Sequence, residues 1–338
     1  MLWLHEHFFD FVPGAEYFRS NHDIVNLTTH KKIIGLAFYH FNLDEMVGLI
    51  ETARQKCAHL LVYIKEPFNL DLITLLKKFE VDSNIKFFGD AIMNANTAVS
   101  NWQPAISWFV SPRHYYQVDD WAKNLLAKVD HDYSCPRDYQ FDCLLGIRRA
   151  HRDQIDNFYQ HSNVKNHILY RYYRDNIHTG TWDMDIGDIR GTWESLQVFD
   201  HYQVALSALV PYYIYNQSYH SVVAETTDFN QFNHVTEKVA KPMMSKRIFV
   251  AFAGQYYLES LKSLGFQTFS DVLDESYDIE SDHATRYRMA WQQIEWLCQQ
   301  PAVDVKQRVQ KVLDHNHAHF LKSDWHATVK NCLHAWMI

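Results

Sequence analysis

Between Lys32 and Pro112, short apolar runs alternate with amphipathic segments, the rhythm of βα units that build a parallel sheet. KKIIGLAFYHF predicts a strand ending near Phe38, HLLVYI (59–64) a second, and IKFFGDA a third that closes in a Gly-Asp turn. Between these, Met46, Leu49, Ile50 and Ala53 recur at helical spacing within 44–58, and 70–79 predicts another helix. A fourth strand is expected at 105–110 and a helix at 118–128. The polar stretch DHDYSCPRDYQ, with its one proline, then reads as a linker between domains.

Past that stretch the rhythm restarts. FDCLLGI (141–147) predicts a strand, RRAHRDQI opens a helix, HILYRYY (167–173) predicts a second strand, and the Gly, Asp and Thr content of 175–190 marks a loop. SYHSVVAETT predicts a strand ending at Glu225, 236–244 a short helix, KRIFVAFAG a strand and turn, and 256–264 a helix that Gly265 stops. The spans 281–298 and 303–321 read as long amphipathic helices. A chain of 338 residues exceeds what one core usually serves. The expected fold class is therefore α/β, with domains at 1–134 and 135–300 and a helical segment at 301–338. Two open-sheeted units of this kind hold ligands at the carboxyl ends of their strands.

Composition narrows the partners. A net charge of -8 argues against nucleic acid, whose phosphates call for clustered Lys and Arg. Five scattered cysteines without CxxC spacing suggest neither a disulfide framework nor a zinc site, and fit a reducing cytoplasm. The opening MLWLHEHFFDF carries charged residues within its apolar run, unlike a signal peptide, and no run approaches the roughly 20 apolar residues of a membrane span. Histidines cluster at His5 and His7 and at His315, His317 and His319; alternate spacing splits them across helix faces, so a structural role is expected.

The most informative stretch is FNHVTEKVAKPMMSKRIFVAFAG, in which Thr236, Glu237 and Lys238 stand where a loop enters a helix. Free backbone N–H groups at such a start favour an anion, Lys238 adds a positive charge, and Glu237 suits the hydroxyls of a sugar or ribose. The plainer alternative is Thr236 as the cap and the next two residues as a solvated first turn. Pro242 is awkward for either, since it removes a backbone bond. Upstream, FDCLLGIRRAHRDQIDNFY sets Arg148, Arg149 and Arg152 at a helix start, with Arg152 also spaced to pair with Asp156.

Together these segments, about 138–295, resemble the nucleotide-binding domain of the α-1,3-fucosyltransferases and related sugar transferases. The resemblance implies the GT-B type, two Rossmann-like domains facing a cleft. It also implies Arg152, with Arg149 nearby, on the diphosphate of a nucleotide-sugar donor, and Glu237 and Lys238 on the donor. Glu225, ending its strand, either orients the donor or is structural. The tail GQYYLESLKSLGFQTFSDVLDESYD departs from the fucosyltransferase pattern, which leaves the sugar and base open, a GDP-sugar being one choice.

An inverting transfer needs a general base, expected from the N-terminal domain. Glu66 in LLVYIKEPFN, Asp90 after IKFFG, and His40 are the candidates. Trp3, Trp102 and Trp108 suit stacking on an acceptor or core packing equally. Asp274, Glu275, Asp278, Glu280 and Asp282 form a carboxylate-rich segment; the expectation is no metal, with Ser281 or Asp278 capping a helix and Asp282 pairing with Arg286. No cofactor is required beyond the donor. The implied activity is glycosyl transfer to a hydroxyl of a glycan or other acceptor, and the alternative is a non-catalytic nucleotide- or carbohydrate-binding protein. The absence of GxGxxG after the first strand, and of a P-loop, speaks against a dehydrogenase or an NTPase.

Overall fold

A computed structural model describes residues 3–4, 33–38, 42–55, 58–64, 71–118, 120–174, 177–179, 209–325, 327 and 331. Glu66, His40, His5 and His7 lie outside the described residues, as do the side chains of Trp3 and Trp108. The fold is α/β and its contacts divide the chain into two units. One comprises 1–108, 231–234 and 324–338; the other comprises 109–230 and 235–323.

The first unit is built on a five-stranded parallel sheet in the order β1 (Trp3–Leu4), β2 (Ile33–Phe38), β3 (His59–Ile64), β4 (Ile85–Gly89), β6 (Trp102–Pro104). Leu60 to Ile64 are all buried, as a strand covered on both faces requires. Helix α1 (Leu43–Arg54) is capped by Asn42, which accepts from Glu45 N at 3.2 Å. It buries Met46, Ile50 and Ala53, while Leu49 of the same expected stripe is exposed. Helix α2 (Asp71–Lys78) buries Leu72, Leu75 and Leu76. Glycine is required at position 89: a Cβ there would meet Ile64 O at 2.3 Å and the Trp102 ring at 2.4 Å. Trp102 is core, its Nε1–H donating to Ala91 O at 2.9 Å. Strand β5 (Ala91–Met93) pairs antiparallel with β11 (Phe232–His234). The strand expected at 105–110 is instead β6 followed by helix α3 (Ser107–Val118), because Ile106 takes a left-handed φ of 45° that ends extended chain.

In the second unit, β7 (Tyr139–Leu145), β8 (Ile168–Arg174), β9 (Ile177–Thr179), β10 (Ser218–Ala224) and β12 (Phe249–Phe252) form a sheet in the order β12-β10-β7-β8-β9. All neighbours are parallel except β8 and β9. From β7 the chain first proceeds to β8 on one side and later returns to β10 on the other. The carboxyl ends of β7 and β10 therefore form a topological switch point, where open α/β sheets bind ligands.

The unit boundary falls at 108/109, whereas the sequence suggested 134/135. Phe109 of α3 packs edge-on against Phe266 and Phe320, at centroid distances of 5.5 and 5.0 Å. The polar stretch at 130–140 is a tied loop within the second unit: Asp130 accepts from Ser134 N and Cys135 N, Tyr133 OH donates to Tyr219 O at 2.6 Å, and Arg137 is buried. Residues 301–323 also pack in this unit, as helices α10 (Ala302–Arg308) and α11 (Gln310–Lys322) broken at Val309. His315, His317 and His319 of α11 each donate a ring N–H to a carbonyl, of Gly265, Met244 and Leu264 respectively.

The carboxylate-rich segment is spent on caps. Asp282 itself, rather than Ser281 or Asp278, caps helix α9 (His283–Leu297) by accepting from Thr285 N at 2.8 Å. Asp278 accepts from Leu258 N and Glu259 N at the start of helix α8 (Tyr257–Ser263). Arg286 donates to the carbonyls of Ala253 and Glu280. Among the described residues, no group of three His, Cys, Asp or Glu side chains is arranged to hold a metal, and no helix is long and apolar enough to cross a membrane.

Candidate site at the switch point of the second sheet

The turn leaving β7 enters helix α5 (Ala150–His161), whose N-cap, Arg149, makes no side-chain capping bond. The first backbone N–H groups of α5 thus carry no side-chain acceptor, and the helix dipole leaves positive potential there. Arg152 stands in this first turn and is only 4% exposed. Its guanidinium donates to the carbonyls of Ile147 at 2.6 Å and Glu225 at 3.3 Å, while Nε has no partner. Among the described residues no carboxylate pairs with it; Asp156, the i+4 candidate, accepts instead from Tyr170 OH at 2.6 Å and Gln160. Burial and the neighbouring Arg149 depress the Arg152 pKa to about 10. Gly146 makes room, since a Cβ there would meet Arg152 Nη1 at 3.3 Å. Tyr172 OH donates to Asp153 at 2.8 Å, so with Tyr170 it pins α5 to β8 and fixes which way Arg152 faces. Arg148 pairs with Asp153 at the exposed edge.

Glu225, directly after β10, is fully buried. Its backbone carbonyl accepts from both Arg152 and His151. Its carboxylate accepts from Thr236 N at 3.1 Å, Thr236 Oγ1 at 2.6 Å and Tyr257 OH at 2.6 Å. One residue thereby ties the starts of α5, α8 and α7 (Glu237–Met244) together. Burial drives its pKa upward, against the pull of Lys238 and the two hydroxyls.

Thr236 caps α7 by accepting from Lys238 N, as its sequence position suggested. Pro242 lies inside this helix and is buried; its carbonyl accepts from Arg247 N at 2.9 Å, which closes the helix one turn later. Lys238 is compensated where Arg152 is not. Its ammonium lies 3.3 Å from Glu237 and 4.0 Å from Glu225, and donates to the hydroxyls of Thr226 and Thr236. Glu237 is nearly buried, yet Lys238 and Lys241 outweigh that burial and lower its pKa.

The structure thus brings Arg149, Arg152, Glu225, Thr236, Glu237 and Lys238 to one edge of one sheet. Asp90 belongs to the other unit, 1% exposed between β4 and β5. Sequence reasoning passed over His151, Asp228, Tyr257, His283 and Tyr287. His151 Nε2–H donates to Glu225 O at 3.0 Å, and burial holds its pKa down at about 4, so the ring is neutral. Asp228 lies 3.8 Å from His151 Nδ1 and 2.5 Å from His283 Nε2. The one available signal was that Asp228 stands four residues past the end of β10, at the same sheet edge.

A search of known protein families and a search of curated proteins each find no match to this chain.

Proposed function

We infer that the second unit binds a nucleoside diphosphate sugar and that the protein is an inverting, metal-independent glycosyltransferase with two Rossmann-like domains of the GT-B type. The observation that carries this reading is Arg152: a buried guanidinium that pairs with no carboxylate among the described residues and has an unpartnered Nε, at an uncapped helix start, on the switch point of a mostly parallel sheet. Leaving such a group unpaired is costly, and an anionic ligand is the natural complement. A diphosphate offers several oxygens to Arg152 and to the N–H groups of α5. Its growing charge as the sugar departs is met by groups already in place, the usual main source of catalytic stabilisation. Lys238 adds positive potential, Glu237 takes donor hydroxyls, and Glu225 holds the starts of α5, α7 and α8 in register. The acceptor, a glycan or other hydroxyl compound, is activated by a carboxylate of the first unit, Glu66 or Asp90. The resemblance of 138–295 to the fucosyltransferases points the same way, and a GDP-sugar is the first donor to try.

The test is a thermal-shift screen against GDP, UDP, dTDP, ADP and CMP and their sugar conjugates, since a ligand of the folded state raises its apparent stability. A shift selective for one nucleotide, lost in Arg152→Ala, is expected. No shift with any of them would refute the reading, and binding without transfer to any acceptor would favour a binding protein of the same fold.

A further inference from the structure

Beside the Arg152 site lies a pair that the transfer reading leaves unused. Asp228, in the loop after β10, and His283, the first residue of α9, are 55 positions apart in the chain. Their side chains meet with His283 Nε2 2.5 Å from Asp228 Oδ2, and both are partly open, at 27% and 29% side-chain exposure. The contact is at ion-pair distance without hydrogen-bond geometry, and His283 Nε2 has no other partner among the described residues. A carboxylate facing one imidazole nitrogen favours a proton there and leaves the other nitrogen to act as a base.

Several features favour a chemical over a merely structural role. Asp228 remains ionised: burial would raise its pKa, but the contacts with His283 and His151 pull it down further. His151 bridges the pair to the anion site, its Nδ1 3.8 Å from Asp228 and its Nε2–H on the same Glu225 carbonyl that accepts from Arg152. The pair is thus linked to the guanidinium through the His151 ring and the Glu225 backbone carbonyl. The other groups around it are accounted for. Arg286 reaches the Asp228 carbonyl at 3.5 Å, the Tyr287 ring lies 4.2 Å from that of His283, and Asp282 is engaged as the cap of α9.

We propose that His283, oriented by Asp228, is a general base that activates water against the sugar of a nucleotide sugar held at Arg152, giving the protein a hydrolytic activity of its own. In this step the water oxygen bonds to the anomeric carbon and passes a proton to His283. The bond from that carbon to the diphosphate oxygen breaks, and its electron pair leaves with the nucleoside diphosphate. The imidazolium then releases its proton to solvent. The products are the free sugar and the nucleoside diphosphate. The proposal rests on the anion site at Arg152, and its test separates the two.

The experiment uses the full chain and the GDP-, UDP-, dTDP- and ADP-sugars without any acceptor. It follows nucleoside diphosphate release alongside calorimetric binding of the same compounds. Wild-type protein is expected to bind and slowly hydrolyse one of them. His283→Gln should keep Kd within about threefold and lose about 100- to 10,000-fold in turnover, the usual worth of a positioned base. Asp228→Asn should keep binding and lower turnover through kcat, with KM within about threefold of the wild type. A purely structural pair would leave kcat unchanged in a folded Asp228→Asn protein. Tight binding with no hydrolysis by the wild type, or equal turnover in a folded His283→Gln protein, overturns the proposal while leaving the anion site standing. Absence of binding by the wild type overturns both.

Discussion

Two buried arginines serve the same sheet and do opposite things. Arg247 precedes β12 and is 1% exposed; Arg152 follows β7 and is 4% exposed. Every donor of Arg247 is used: Nε on Ser221 Oγ, Nη1 on the carbonyls of Tyr215 and Ser218, and Nη2 on Asp142, Ser218 Oγ and the His220 carbonyl. The 2.6 Å pairing with buried Asp142 neutralises it, and the guanidinium also stacks 4.2 Å over the Tyr215 ring. Arg152 has two carbonyls and an idle Nε. Burial alone therefore does not mark a functional cation; the distinction is whether the fold has already supplied its counter-charge. Arg247 joins β7, β10 and the entry to β12, whereas Arg152 keeps capacity for something from outside.

The largest expected effect follows from breaking the saturated arginine. Arg247→Ala strands Asp142 as an uncompensated buried charge, which costs about 3–5 kcal/mol. Denaturant unfolding should show the loss in full, with Arg247→Lys recovering little because an ammonium cannot reproduce the planar fork.

Each arginine also has a buried histidine beside it, and acid should reveal both. Burial, reinforced by nearby Arg247, lowers the His220 pKa to about 3, and burial lowers that of His151 to about 4. A histidine with a depressed folded pKa adds stability above its unfolded pKa and loses it as pH falls towards the folded value. Between pH ~6.5 and ~4 each ring should withdraw roughly 3 kcal/mol at 1.36 kcal/mol per pH unit. His220→Phe, which keeps the packing against Phe141, should flatten that acid loss by one group's share; an unchanged slope would show that His220 titrates normally.

At the idle arginine the balance reverses. Arg152→Met keeps the apolar stem and should change stability by less than about 1.5 kcal/mol, while weakening nucleotide binding by about 10- to 100-fold, the worth of a charged hydrogen bond. Equal losses of stability and binding would make Arg152 a second Arg247. The smallest effect is expected at Lys238, already paired with Glu237. Lys238→Met should weaken binding by less than about tenfold, in the range of partly exposed ion pairs. A larger loss would mean that the ligand displaces Glu237.

Most of the second sheet was legible along the chain. The strands at 218–224 and 249–252 fall within the predicted runs, and those at 139–145 and 168–174 overlap theirs, the first starting two residues earlier and the second ending one later, because a buried strand must be apolar whatever its neighbours are. The same holds for Thr236, whose capping role needs only the N–H two residues on, and for Arg152, placed by the first turn of its own helix. These are local facts with local causes. The boundary was missed because polar residues with a proline look alike in a free linker and in a loop that Asp130, Tyr133 and Arg137 tie down. The helix at 107–118 was missed because a left-handed residue at 106 leaves no mark in the hydrophobic pattern.

Sequence by itself determined which segments become strands and helices, and which charged side chains stand at helix starts, since side-chain period and capping act within a few residues. Tertiary structure alone decided the order β12-β10-β7-β8-β9, and with it the switch point that gathers Arg152, Glu225 and Thr236. It likewise decided that Arg247 meets Asp142 while Arg152 pairs with no carboxylate among the described residues, and that Asp228 reaches His283. Which charges become neighbours depends on how whole elements pack, and that is a property of contacts between residues far apart in the chain, on which no local period reports.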